Sequence, residues 1–167
     1  MPGTLRPDFL ELLRALSEHE VDFILVGGLA AAVQGAPLMT FDVDVLYSTD
    51  AGNLTRLLAA IEDLEGYYRL QPERKLRPQL AHLAAGGHNL LMTRLGPLDL
   101  LGSVGNSHDF RDLLPHAMAL DVGEGTKIQV LALETLIAVK EETAGEKDRA
   151  SLPILRRTLE ELRRKMN

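Results

Sequence analysis

The sequence predicts an α+β fold, in which a mixed, twisted β-sheet is flanked by helices and C-terminal helices close one side of a cleft. Three observations lead to this prediction. A predicted strand over 22–26 contains four consecutive apolar residues and is followed, after Gly27-Gly28, by a short helix; several strand and hairpin patterns come next, and two helical segments end the chain. A βα unit followed by hairpins fits an α+β sheet better than a doubly wound parallel sheet.

Composition limits the classes of protein to which this chain can belong. Its 167 residues, 46% apolar and 25% charged, are typical of one compact globular domain. We expect a core over 1–130 and a helical segment over 131–167 packed on it. The net charge of −6 argues against a large nucleic-acid footprint. Cysteine is absent, which excludes a disulfide framework and a thiolate zinc site.

No feature of the sequence suggests a membrane. The first residues lack a basic region followed by an apolar stretch, and no segment approaches the roughly 20 apolar residues of a membrane span. We therefore expect a cytoplasmic protein with no membrane partner.

Apolar spacing assigns elements to the first half of the chain. Apolar residues three and four apart predict amphipathic helices over 5–19 and 50–64. The Ala-rich segment over 29–34 favours a short helix. A second strand is predicted over 41–47.

The second half predicts strands, hairpins and the terminal helices. The segments are a short strand at 67–70, a loop at 71–78, a helical turn at 80–85, hairpin strands at 88–93 and 98–101, a short helix at 107–114, and strands at 117–122 and 126–130. A helix over 131–143 precedes a last helix, which Pro153 predicts to start near Ser151.

Two carboxylates lie close together on the second predicted strand. Side chains two apart on a strand share a face, so Asp42 and Asp44 should project together while Phe41, Val43 and Val45 face the other way. Adjacent carboxylates raise each other's pKa unless a cation lies between them, and a divalent cation such as magnesium is suited to that position. A half-exposed edge strand is the alternative, but the poor strand propensity of Asp favours a site.

Two further features each have two explanations. Gly27 and Gly28 separate a strand from a helix, where backbone N–H groups can approach an anionic ligand closely. A tight, closely packed turn explains the same glycines. Asp99 lies within an apolar strand, where an unpaired charge is costly. It needs a partner, which is either a structural ion pair or a metal shared with Asp42 and Asp44.

Together these motifs resemble the nucleotidyltransferase superfamily related to DNA polymerase beta. The signature is Gly-Gly after an apolar residue, then Asp-x-Asp on a strand, then a third acid downstream. The closest likeness is to small prokaryotic members similar to abortive-infection toxin nucleotidyltransferases. It covers most of the chain, through segments 26–30, 35–45, 91–101 and 128–140, followed by Lys147-Asp148.

The resemblance implies a reaction and a set of residues. Asp42, Asp44 and Asp99 would hold Mg²⁺ or Mn²⁺, and Asp99 would help to activate an acceptor hydroxyl that attacks the α-phosphorus of a nucleoside triphosphate, with release of pyrophosphate. The residues implied in nucleotide binding are Gly27, Gly28, Thr40, Lys140 and Lys147. For the two lysines a solvent-facing position on a helix is an equal alternative. The acceptor would be a protein, a tRNA or a small molecule.

One position departs from the family pattern. Many relatives place an arginine between the third glycine and the Thr before Asp-x-Asp, where this chain has Leu38. Arg94 and Lys140 are candidates to supply the missing cation. Leu38 therefore also favours a second hypothesis. In it the chain is a catalytically degenerate binding or regulatory protein, such as one half of a toxin–antitoxin pair with a cognate antitoxin. A third hypothesis is an ordinary α/β ligand-binding module in which the three aspartates are structural.

Overall fold

The computed structural model describes residues 5–167, apart from the side chains of Pro7 and of residues 146–148. Within these residues one sheet is formed by strands β1 (Phe23–Val26), β2 (Val43–Tyr47), β3 (Tyr67–Tyr68), β4 (His88–Thr93), β5 (Gly96–Leu101), β6 (Ala117–Asp121) and β7 (Lys127–Leu131). The helices are α1 (Pro7–Glu18), α2 (Gly27–Val33), α3 (Ala51–Asp63), α4 (Leu80–Ala84), α5 (Phe110–Leu113), α6 (Leu133–Glu142) and α7 (Glu146–Met166).

The sheet is mixed, and its two central strands carry the Gly-Gly and Asp-x-Asp motifs. Its strand order is β3-β4-β5-β2-β1-β7-β6. The pairs β1–β7 and β2–β5 are parallel, and the other pairs are antiparallel. This arrangement confirms the predicted α+β class, with helices flanking a mixed sheet.

The two faces of the sheet differ in character. Leu25, Val45 and Leu100 lie side by side on one face and are fully buried. On the same face the Tyr47 hydroxyl donates a 2.8 Å hydrogen bond to the carbonyl of Leu83 in α4. The opposite face carries Asp44 and Asp99, because successive side chains alternate between the two faces. At the three central strands, the first face is therefore packed in the core, whereas the opposite face carries the two aspartates.

Several predicted boundaries are wrong; besides shifts of two or three residues in α2, β3 and α5, three differences stand out. Strand β2 begins at Val43, so Asp42 and the 66% exposed Phe41 precede it. The hairpin turn is shorter than predicted, because Gly96 adopts a φ of +117° and already pairs with Thr93. Helix α7 begins at Glu146 rather than near Ser151, and Pro153 lies inside it.

Burial explains why α7 continues through its proline. Leu152 and Leu155 on either side of Pro153 are buried in the main hydrophobic core. Packing of an apolar face supplies most of a helix's stability in a protein, and here it offsets the backbone hydrogen bond that proline cannot make.

In the described part of the chain, no helix combines the length and apolar content needed to cross a bilayer.

Candidate active site

The centre of the candidate site is a pair of carboxylates on adjacent parallel strands. Asp44 of β2 is directly in register with Asp99 of β5. Neighbouring strands lie about 4.8 Å apart, and residues in register point to the same face. Asp99 is largely buried, with a side chain that is 13% exposed. The lone acid of the predicted hairpin is therefore next to the second acid of Asp-x-Asp.

Asp42 completes the acidic group from just outside the sheet. It lies one residue before β2 and is half-buried. Its negative charge is among the influences that raise the pKa of Asp44, which places it in the electrostatic neighbourhood of the pair. Val43 and Val45 are buried on the other face, as predicted, whereas Phe41 is exposed and does not join them.

Asp44 is the acid whose protonation is most perturbed. Burial is the main cause, followed by the charge of Asp99 and a hydrogen bond to it, and then by the charge of Asp42; together they raise its pKa from 3.8 to about 7. The positive charge of Arg69 acts in the opposite direction. Near neutral pH, Asp44 is therefore poised between its protonated and ionised forms.

Arg69 is a site residue that the sequence analysis did not single out. Its Nη1 forms an ion pair with Oδ1 of Asp99 and donates a 3.2 Å hydrogen bond to the carbonyl of Leu91. The bond to Asp99 is the leading cause of the raised pKa of Arg69. Of the two explanations left open for Asp99, the structure contains the ion pair. The sequence does place Arg69 and Asp99, which carry opposite charges, in two predicted strands, and this was a signal of an ion pair. Which strands pair in the sheet, however, was not predictable from the sequence.

The two glycines are explained by close contacts. Gly27 has a φ of +72°, and a Cβ built there would overlap the Oδ2 of Asp44. A Cβ on Gly28 would come within 2.8 Å of the Thr40 methyl group. Helix α2 starts at Gly27 and has no side-chain cap at its N-terminus. The glycines thus bring an uncapped backbone directly against the second carboxylate, and Thr40 packs beside them.

A cleft of about 470 Å³ begins at Gly27 and extends between the sheet and α6. Leu101, two residues after Asp99 on the same face, forms part of its floor, and Val104 of the following loop and Val139 of α6 form its walls. Because Gly27 both touches Asp44 and lines the cleft, the carboxylates lie at the margin of this space.

The cationic side chains that the sequence predicted for the site, Lys140, Lys147 and Arg94, do not all lie there. Lys140 lines the cleft, and its Nζ is 3.4 Å from the Ser151 hydroxyl. The side chain of Lys147 lies outside the described residues. Arg94 is not at the site, because its Nε donates to the carbonyl of Asp63 at the end of α3. Leu38 lines a separate pocket that contains none of the three aspartates.

The donor chemistry of the site suits a divalent cation. Carboxylate oxygens are the ligands that Mg²⁺ and Mn²⁺ prefer. After burial, the negative charges of Asp99 and Asp42 are among the causes that raise the pKa of Asp44, and a cation would offset these charges. In their present arrangement, however, no three His, Cys, Asp or Glu side chains among the described residues are grouped closely enough to hold a metal ion. Metal binding by Asp42, Asp44 and Asp99 therefore stays a prediction.

Solved structures with the same fold include proteins that are named as nucleotidyltransferases. Lincosamide antibiotic adenylyltransferase LnuA, in its lincomycin-bound form, has a TM-score of 0.60 at 14% identity, over 92% of this chain and 97% of that chain. The antibiotic-resistance factor ANT(2'')-Ia has a TM-score of 0.58 at 15% identity, over 91% and 82% of the two chains.

A third similar structure is TM1012 from Thermotoga maritima, which is provisionally described as a nucleotidyltransferase. Its TM-score is 0.57 at 18% identity, over 94% of this chain and 96% of that chain. No protein-family model and no curated protein matches the sequence. The three solved structures nevertheless show that this chain has the nucleotidyltransferase-like fold that its motifs predicted.

Proposed function

We propose that this protein transfers a nucleoside monophosphate from a nucleoside triphosphate to an acceptor hydroxyl and releases pyrophosphate. The observation that carries the proposal is the pairing of Asp44 with Asp99 beneath Gly27, a position at which no side chain fits. The names of proteins with the same fold, among them the adenylyltransferase LnuA, support this class of reaction.

Each residue has a role in this proposal. Asp42, Asp44 and Asp99 would hold Mg²⁺ or Mn²⁺, which when bound supplies positive charge to stabilise the attacking and leaving oxygens. Asp99 takes part in removing the proton from the acceptor hydroxyl. The backbone N–H groups of Gly27 and Gly28 bind phosphate oxygens, a role suited to donors that need no reorganisation.

The nucleotide is further held from the helical side of the cleft. Lys140 on α6 lines the same space as Gly27, so its ammonium group contacts the phosphates in the proposed complex. Lys147 is proposed for the same role on the basis of the resemblance alone. Thr40 supports the Gly28 backbone through its methyl contact.

A small molecule is the acceptor that the structural neighbours favour. One LnuA structure is lincomycin-bound, and one ANT(2'')-Ia structure contains adenylyl-2''-tobramycin. These acceptors belong to those proteins, but they share a small size and free hydroxyl groups. A panel of hydroxylated small molecules should therefore be tested before tRNA and protein acceptors.

Labelled-nucleotide transfer tests the proposal directly. The purified protein is incubated with Mg²⁺ or Mn²⁺, each of the four α-labelled nucleoside triphosphates and the acceptor panel. We expect Asp44→Asn and Asp99→Asn to abolish transfer, because each removes a proposed cation ligand. Asp121→Asn is a matched control, since Asp121 is an exposed residue of β6 that accepts a hydrogen bond from Gly123 N, which Asn can also accept. Full activity in the Asp44 and Asp99 variants would refute the proposal.

A catalytically degenerate binding or regulatory protein, as in a toxin–antitoxin pair, is the second candidate. Two observations favour it: Arg69 is bonded to Asp99, and Leu38 replaces a cation that many relatives carry. Calorimetry with Mg²⁺ and each nucleotide separates the two candidates. Binding heat with any nucleotide favours the transferase, and the absence of heat with all of them favours the regulatory protein.

A further inference from the structure

Across the strand order, Arg69 and Gly27 lie on opposite sides of the carboxylates. Arg69 follows β3, and Gly27 follows β1. Its backbone N–H donates a 3.1 Å hydrogen bond to the carbonyl of Leu90, which extends the β3–β4 pairing by one residue. Leu90 is in register with Asp99. Gly27 follows β1, beyond β2. The glycines and Arg69 therefore flank the acidic pair from its two sides.

Toward the residues that the structure describes, the guanidinium group of Arg69 donates hydrogen bonds from one nitrogen, Nη1. Nη1 has two N–H groups, and these donate to Asp99 and to the Leu91 carbonyl. Neither Nε nor Nη2 makes a hydrogen bond to any residue in the described part of the chain. The side chain is 22% exposed. One edge of the guanidinium is thus fixed to the sheet, while the other edge is available to a ligand.

The available edge has the geometry and charge to bind phosphate. The Nε–H and Nη2–H groups of arginine form a planar fork that matches two oxygens of a phosphate. The local electrostatics also require a cation, because a phosphate that approaches this site meets Asp42, Asp44 and Asp99. Arg69 lies within electrostatic range of all three carboxylates.

We propose that Arg69 is a two-sided nucleotide ligand: Nη1 positions Asp99, and the Nε–Nη2 edge binds a phosphate oxygen of the nucleoside triphosphate. This inference rests on the proposed function, to which it adds a residue that neither the glycines nor the aspartates imply. In this proposal the ion pair with Asp99 has two effects: it holds the carboxylate in place, and it fixes the orientation of the Nε–Nη2 edge.

Calorimetric titrations with Mg²⁺ test the inference. The ligands are ATP, GTP, CTP and UTP, then inorganic tripolyphosphate as a probe without a base, and the nucleoside of the tightest-binding triphosphate. We expect Arg69→Gln to weaken triphosphate and tripolyphosphate binding about 10- to 100-fold, the range for lost hydrogen bonds to a charged group. Binding of the nucleoside should not change.

Two further variants keep the test decisive. Arg69→Lys retains the charge and can still bond Asp99, but it lacks the second edge, so it should fold normally and still lose about tenfold in triphosphate affinity. Arg94→Gln removes the same charge from the hairpin turn, away from the site, and should bind like the wild type. Melting temperatures of all variants identify any loss of fold.

The outcomes separate this inference from the function on which it rests. If the wild type binds and transfers nucleotide, and both Arg69 variants bind triphosphate as tightly as the wild type does, then Arg69 is only a structural ion-pair partner and the inference is wrong. Equal weakening of the nucleoside and the triphosphate contradicts it as well. If the wild type binds no triphosphate, the proposed function and the inference both fail.

Discussion

Asp44 is the residue through which pH should act on stability. Its raised pKa, about 7 against 3.8, means that the unfolded chain releases this proton at a lower pH than the folded protein does. The stability that Asp44 contributes is therefore fully present below about pH 4 and is lost as the pH rises through 7. Burial is the main cause of the shift, and Asp99 is the second.

Asp44→Asn should remove this pH-dependent loss. Without divalent cations, the free energy of unfolding of the wild type should fall relative to that of the variant by on the order of 2–4 kcal/mol between pH 4.5 and 8. Urea denaturation at both pH values measures the difference, with Asp121→Asn as the control. A constant difference between wild type and Asp44→Asn would show that Asp44 titrates normally.

Gly27 offers a test of the contact between the glycine turn and the acidic pair. In Gly27→Ala, the new methyl group overlaps Asp44 Oδ2, and the φ of +72° adds backbone strain. We expect stability to fall by about 1–3 kcal/mol and nucleotidyl transfer to fall about 100-fold, because Asp44 must move.

Gly125→Ala is the matched control for that substitution. Gly125 has a φ of +77°, but nothing lies within 4 Å of the position that its Cβ would occupy. It should lose a similar amount of stability to strain while transfer stays at the wild-type rate. If both variants lose activity equally, backbone strain rather than the Asp44 contact is responsible.

At the scale of elements, the loop after β5 is attached to the end of α6 by Glu142. His108 Nε2 lies 2.8 and 2.9 Å from the two Glu142 carboxylate oxygens, and the Asn106 N–H donates to one of them at 3.1 Å. These hydrogen bonds, chiefly that from His108, lower the pKa of Glu142. The attached loop includes Val104 and Gly105, which line the cleft.

Glu142→Gln should loosen this loop. The amide has one acceptor oxygen in place of two and carries no charge, so we expect faster amide hydrogen exchange over 103–108 and nucleotide binding weakened a few-fold. Glu141→Gln is the control, because Glu141 is exposed and pairs with Arg156. Unchanged exchange over 103–108 would mean that packing alone holds the loop.

Local pattern predicted the elements better than it predicted their partners. The apolar spacing of α1 and α3 and the continuous apolar run of β1 identified these elements to within a residue or two. The start of α7 was missed because burial of Leu152 and Leu155 outweighs the effect of Pro153. Local rules describe single elements, whereas this boundary depends on tertiary packing.

The site was predictable only in part for the same reason. Asp42, Asp44 and Asp99 were identified as charges that apolar strands do not favour. The register that sets Asp99 beside Asp44 joins β2 to a strand that is remote in sequence, and no local pattern encodes it. Arg69 was missed because its role depends on the additional pairing of β3 with β4.

For the whole molecule, the C-terminal helices and the sheet share one core. Leu133, Leu136, Leu152 and Leu155 belong to the same buried cluster as the central strands. The Gln34 side chain connects the two parts, since it donates to the Leu131 carbonyl at 2.9 Å and accepts from the Leu133 N–H at 3.0 Å.

A chain truncated after Val130 should therefore fail to fold, because it loses this buried apolar surface and the two hydrogen bonds that Gln34 makes with Leu131 and Leu133. The full chain should unfold in one cooperative transition, measured by circular dichroism and calorimetry. A chain truncated after Leu162 is the control; it loses exposed residues and one surface ion pair between Arg163 and Glu134, so its melting temperature should change little. A folded 1–130 fragment would instead support two independent units.

The parallel pairing of β1 with β7 also determines the order in which the chain assembles during synthesis. Ile24 and Leu25 pair with Gln129 and Val130, so the central strand gains its second neighbour only after most of the chain has left the ribosome. Contacts so distant in sequence slow folding and leave an inner strand edge exposed in nascent chains. In newly made molecules, this edge of β1 should consequently stay unpaired until β7 emerges.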